Sequence, residues 1–138
     1  MSRPVVRHAV VRVAAVRVVV GGLAGAIAGI HWYLWSSDGY RHIPTIGALF
    51  LLNGIGGAVL ALASFGFPRR AVHLAWLATA GFGAATLIAL LISLNGTLFG
   101  FRETTSAPLL GLSIAVEGAA FLFGAAAATF SRFGQVPS

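Results

Sequence analysis

The sequence predicts an all-α integral membrane protein, a single four-helix bundle, and three observations lead there. Of 138 residues, 58% are hydrophobic and 9% charged, where a soluble domain carries about 25% charged side chains. Four apolar runs are each long enough for the about 20 helical residues that cross a hydrocarbon core. Turn-forming residues and most charges fall between or outside those runs. Such a chain cannot clothe a water-facing surface, which excludes soluble enzymes, disordered chains, coiled coils and disulfide-knit modules. Cys is absent, so disulfides, thiolate ligands and thioredoxin-like redox chemistry are excluded as well.

The spans follow in order within one domain, 1–138. The first covers about 14–35, the second 44–64, the third 71–95 and the fourth 107–130. Ser36–Ser37–Asp38–Gly39, Gly66–Phe67–Pro68 and Asn95–Gly96 punctuate the short connections. Pro44 and Pro108 are expected in the first turn of their spans, where a missing N–H costs nothing. The first span follows a basic region but no small-x-small cleavage site, because His31–Trp32–Tyr33–Leu34–Trp35 stands there. It reads as an uncleaved signal-anchor.

The net charge is +6, and all nine basic residues are Arg, a usage that fits a GC-rich coding bias. On a soluble protein this balance would suggest nucleic acid; at the ends of apolar runs it reads as membrane topology. Arg3, Arg7, Arg12, Arg17, Arg69, Arg70 and Arg132 fall on one side, Arg41 and Arg102 on the other. Both termini are therefore expected in the cytoplasm. Arg17 reads as a side chain snorkelling to the inner interface. Trp32, Tyr33, Trp35 and Tyr40 read as an outer interfacial belt. The partner common to all of this is the lipid bilayer.

A shift of 64 positions superposes Pro44 on Pro108, Gly47 on Gly111, Asn53 on Glu117, Gly54 on Gly118 and His31 on Asn95. With a three-residue gap, Gly39–Tyr40–Arg41 also meets Gly100–Phe101–Arg102. This pattern suggests two duplicated helical hairpins related about the membrane normal.

Ionisable groups at membrane depth cost about 2.5–3.5 kcal/mol on insertion scales and call for a reason. Glu117 lies nine residues past Pro108, about 14 Å down its helix. Its stripe, Ser106, Ser113, Glu117, Ala120, Gly124 and Ala128 with Ser131 at the far end, is small and polar, suited to packing against other helices. His31 is expected about one turn from the outer end of the first span, converging with Glu117 because side chains lean toward their helix N-terminus. His31, Asn53, Asn95 and Glu117 are the candidate binding cluster. Arg41, His42, Arg102 and Glu103 are candidate residues of a lid in the outer loops. Two readings of the cluster stand open: an interhelical clamp without chemistry, and a group that binds a ligand or relays protons. No metal site is expected, since zinc needs three or four ligands and one carboxyl and one imidazole are buried. Gly21, Gly25 and Gly29, and the glycines from Gly54 to Gly57, read as tracks for close helix approach.

Ala28–Gly29–Ile30–His31, Tyr40–Arg41–His42–Ile43–Pro44, Asn53–Gly54–Ile55–Gly56–Gly57–Ala58 and Pro68–Arg69–Arg70–Ala71 resemble the DoxX/DoxD-like membrane family. The likeness covers residues 24–78 and little of the second hairpin. Where many members carry Glu in the second span, this chain has Asn53, and its Glu is at 117. The resemblance implies a multi-pass protein of the bacterial inner membrane, in some members tied to quinone-linked sulfur oxidation or membrane oxidoreductase complexes. Three functions remain in play: an accessory or structural subunit of a membrane complex with no catalysis of its own, a quinone-associated oxidoreductase subunit using His31 and Glu117, and a small oligomeric transporter. Quinone is the one cofactor these readings admit. A membrane-protein partner or a second copy of the chain is the partner they admit, and nucleic acid is not expected.

Overall fold

The computed structural model describes residues 3–133, with side chains described from 11 to 130. The side chains of Arg3, Arg7, His8, Ser131 and Arg132 fall outside that range. Four helices follow one another: α1 (Arg3–Ser37), α2 (Ile46–Gly66), α3 (Val72–Asn95) and α4 (Leu110–Phe133). Each contains a stretch long and apolar enough to cross a membrane. Among the described residues there is no strand, only an isolated bridge between Leu98 and Phe101. The outer surface is greasy, as lipid contact requires. Leu52, Ile55, Val59 and Leu62 on α2, Leu74, Leu77 and Ile88 on α3, and Leu122 and Phe123 on α4 are all exposed.

The helices form a ring. α1 packs most extensively on α2 and α3 on α4, while α1–α4 and α2–α3 contacts close the ring more thinly. α1 and α3 touch across one diagonal, whereas among the described residues the α2 and α4 backbones do not approach each other. At the end of the bundle carrying the termini, Val20, Val72, Trp76, Ala127 and Ala128 form one apolar cluster. At the other end, the loop end, Ile30, Leu34, Tyr40 and Ile46 form a second.

Small residues fill the layer between, because helices in lipid gain most from close van der Waals approach. A Cβ on Gly57 would meet the Ala24 carbonyl oxygen at 2.8 Å and the Ala28 nitrogen at 2.9 Å. Gly124 stands in the same relation to Trp76 O and Ala80 N, and Gly83 to Glu117 O at 2.7 Å. The expected Gly21–Gly25–Gly29 track holds only at its first member. Gly21 faces Phe65 and Ser64, but Gly25 makes only ordinary contact and Gly29 meets nothing within 4 Å. The close α1–α2 approach is made from the α2 side.

Helix starts differ from the expected spans. Thr45 (φ 63°) and Leu109 (φ 58°) adopt positive φ, which breaks the helical path, so α2 and α4 begin after them. Pro44 and Pro108 therefore lie two residues ahead of their helices rather than in the first turn. Positions 45 and 109 are 64 apart, the same offset as the internal repeat. Gly39 (φ 85°) and Gly100 (φ 80°), the other superposed pair, share a left-handed conformation as well. Arg17 does more than snorkel: its guanidinium donates to Phe65 O at 2.6 Å and Phe67 O at 2.7 Å, closing the carbonyl end of α2 where cations are favoured.

Gly57→Ala should therefore destabilise the protein by about 1–3 kcal/mol, since backbone on α1 must move to admit one methyl. Gly29→Ala should be neutral or slightly stabilising. Unfolding of the purified protein in detergent, followed by circular dichroism, separates the two.

Candidate functional site

Between α2 and α4, where the ring is widest, the loop end encloses a cavity of about 310 Å³. Apolar side chains make most of its wall, among them Leu49, Phe50, Phe82, Leu90 and Phe101. His31, Asn53, Thr86, Ser93, Ser113 and Glu117 supply the polar groups. On the α2–α3 side half-buried Asn53 and Ala89 and exposed Ala85 line the cavity, and on the loop side exposed Phe99 and Pro108 do.

His31 and Glu117 are both buried, 6% and 3% exposed, and this burial decides that their partners must come from the protein or a ligand rather than solvent. His31 Nε2 lies 3.9 Å from Glu117 Oε1. That gap is too long for a direct hydrogen bond. Nδ1 of His31 lies 2.9 Å from the Ile27 carbonyl oxygen, which can only accept, so Nδ1 carries a proton and donates it. The ring also packs on Phe50, centroid to centroid 5.1 Å. Glu117 Oε2 is buried with no hydrogen-bond partner among the described residues, an arrangement rare enough in native interiors to call for an explanation.

The two side chains meet at one level. α1 continues to Ser37, so His31 lies six residues from its end, about 9 Å by helical rise. α4 begins at Leu110, so Glu117 lies seven residues from its start, about 10 Å. The sequence placed them at different depths because α1 was read two residues short and α4 three residues long. Gly83 fixes the second partner, since α4 backbone at Glu117 rests directly on it.

Of the expected cluster, His31, Asn53 and Glu117 share the cavity and Asn95 does not. Asn95 is exposed and donates to Leu91 O of its own helix at 2.8 Å. Ser93, buried on the adjacent face, lines the cavity instead, while Ser106, expected on the Glu117 stripe, is exposed in the loop ahead of α4. Of the expected lid, only Glu103 lines the cavity. Arg102 is exposed, and exposed Arg41 donates from Nε to His42 Nε2 at 3.0 Å.

The roof is an aromatic latch that sequence reasoning assigned elsewhere. Tyr40, expected in the interfacial belt with the exposed Trp32 and Tyr33, is buried. A single 3-10 turn, Tyr40–His42, carries it inward. Its ring stacks on Phe50 at 4.5 Å and meets Phe101 edge-on at 6.0 Å. Phe101 is aimed by a tight turn in which Leu98 and Phe101 exchange backbone hydrogen bonds around Phe99 and Gly100, both at positive φ, the geometry of a two-residue hairpin loop. The Tyr40 hydroxyl donates to Glu103 Oε2 at 2.8 Å, and the Glu103 amide donates to Ser93 O at 2.9 Å. Burial, then the Glu103 carboxylate, push the Tyr40 hydroxyl well above the usual tyrosine range. The signal was present in the repeat, which aligns Gly39–Tyr40 with Gly100–Phe101.

Among the described residues no group of three or more His, Cys, Asp or Glu gathers. Compared with known protein families, curated proteins and solved structures, the chain matches none.

Tyr40→Phe should loosen the roof by roughly 1.5–3 kcal/mol, the range for a hydrogen bond to a charged acceptor, with faster amide exchange over residues 97–108. The latch also has a pH signature. A hydroxyl whose pKa is raised on folding contributes stability that is full below the unfolded value of about 10 and is lost as pH climbs through the folded one. The wild-type thermal midpoint should therefore fall more steeply above about pH 10 than that of Tyr40→Phe.

Proposed function

We propose that this chain is a small DoxX-like membrane protein serving a membrane oxidoreductase complex as a non-catalytic subunit that holds a quinone-class lipid. The observation that carries the reading is the His31–Glu117 pair facing into a mostly apolar cavity. Ligand sites are commonly apolar chambers of about 300–1,000 Å³ with a few convergent polar groups. This one has room for a substituted ring, and its seam between α2 and α3 suits a tail left in the bilayer. The chemistry of the polar groups fits a ring oxygen: a buried imidazole, a carboxyl oxygen without a partner and the amide of Asn53 converge there. In this role the protein's own residues bind and orient the ring and exclude water, and the quinone supplies electron-carrying capacity to a partner.

The proposed setting is the bacterial inner membrane with both termini cytoplasmic. Arg12, Arg17, Arg69 and Arg70 stand toward the end carrying the termini and Arg41 and Arg102 toward the loop end, and the positive-inside bias supports that orientation. A clamp between α1 and α4 with no guest is the competing use of the same pair.

Native mass spectrometry of the protein extracted with its membrane lipids tests the reading. About one quinone per protomer is expected, absent from His31→Ala and Glu117→Ala and retained in Arg102→Ala. Folded wild-type protein that carries no quinone, and takes none up from quinone-loaded vesicles, would leave only the clamp.

A further inference from the structure

We infer that the cavity selects the reduced, hydroxyl-bearing form of its guest, a quinol, over the oxidised form that presents only carbonyl oxygens. The inference deepens the proposed function and rests on its premise that a quinone-class ring occupies the cavity. It comes from counting donors and acceptors across the gap between α1 and α4. Nδ1 of His31 is committed to the Ile27 carbonyl, which leaves Nε2 as the only ring nitrogen facing Glu117, 3.9 Å from Oε1. With no proton between them Nε2 and the carboxylate both accept, which a hydroxyl can answer and a carbonyl cannot; in the net-neutral arrangement they hold one proton between them. If the proton is on Glu117, the carboxyl donates and Nε2 accepts. If it is on His31, Nε2 donates and the carboxylate accepts. Either way the pair offers one donor and one acceptor, and it cannot satisfy both across so wide a gap.

A hydroxyl group both donates and accepts, so one phenolic O–H placed between the two side chains completes both. A carbonyl oxygen only accepts. It would complete the donor and leave the acceptor buried and unpaired, beside a Glu117 Oε2 that already has no partner. Leaving such a group unpaired in a dry site costs enough to change affinity by about tenfold or more. Asn53 and Thr86, which share the cavity, do not alter the count: the Asn53 amide supplies donor and acceptor alike, and the Thr86 hydroxyl already donates to the Phe82 and Gly83 carbonyls.

The test is equilibrium binding to the full-length protein in lipid nanodiscs under anaerobic conditions. The probes are a decyl-substituted benzoquinone, its quinol and the dimethyl ether of that quinol. The quinol should bind about tenfold tighter than the quinone or more, and the ether, which cannot donate, should fall with the quinone or below it. His31→Phe removes one side of the pair and should bring quinol and quinone to within about twofold of each other. Glu117→Gln keeps a donor and an acceptor opposite His31 and should preserve the preference, with circular dichroism reporting that both variants are folded. Equal binding of quinol and quinone to the wild type, or tighter binding of the quinone, overturns the selection while leaving the quinone-class site standing. Failure of all three probes to bind overturns that site and the selection together.

Discussion

Everything at the loop end of this bundle depends on how closely α3 and α4 approach at Gly83. Lipid tails are as apolar as leucine, so helices in a bilayer gain nothing from hiding grease from water and must associate through fit. With no side chain at Gly83, the α4 backbone at Glu117 comes into direct contact with α3. That contact sets the height of the carboxyl and turns it toward α1. Gly57 and Gly124 bring their own hairpins together in the same way. Tight pairing within each hairpin leaves α2 and α4 apart, and the space between them is the cavity. The chamber is a product of where glycine was placed.

The polar groups then follow the rule that governs buried charge and hydrogen bonding in any low-dielectric medium: partners are found or the cost is borne. Thr79, Thr86 and Ser93 satisfy theirs cheaply by donating to carbonyls of their own helix. Arg17 satisfies its guanidinium on the free carbonyls closing α2. His31 is half satisfied, through Nδ1, and Glu117 Oε2 is not satisfied at all. Among the described residues Ser64 Oγ and Trp76 Nε1 are also buried without a partner, toward the end carrying the termini, but only at the cavity do an incompletely paired imidazole and carboxyl face each other.

The sequence made the membrane class, the number of helices, the buried stripe from Ser113 through Ala128 and the meeting of His31 with Glu117 legible, since composition and 3.6-residue periodicity report directly on which face turns inward. It misled at Asn95, which sits in the right frame of the repeat but near a helix end that faces outward. Tyr40 was misplaced for a different reason. An aromatic residue beside Trp32 and Trp35 reads as interfacial, and only the left-handed turn at Gly39 together with Phe101 and Glu103, some 60 residues on, draws it beneath the roof. Helix starts were misjudged because Thr45 and Leu109 take a backbone conformation that neither residue type advertises.

The seam between α2 and α3 has a consequence for how any guest would exchange. A guest entering along this thinly packed seam would equilibrate with the leaflet beside it, so occupancy would follow the mole fraction of guest among the lipids and be insensitive to its vanishing solubility in water. Residence would then be governed by lateral diffusion and by movement of the Phe82 ring, which lies where a side chain on Gly56 would reach across that seam. A protein with so small an interior would in this way draw on a reservoir as large as the membrane itself.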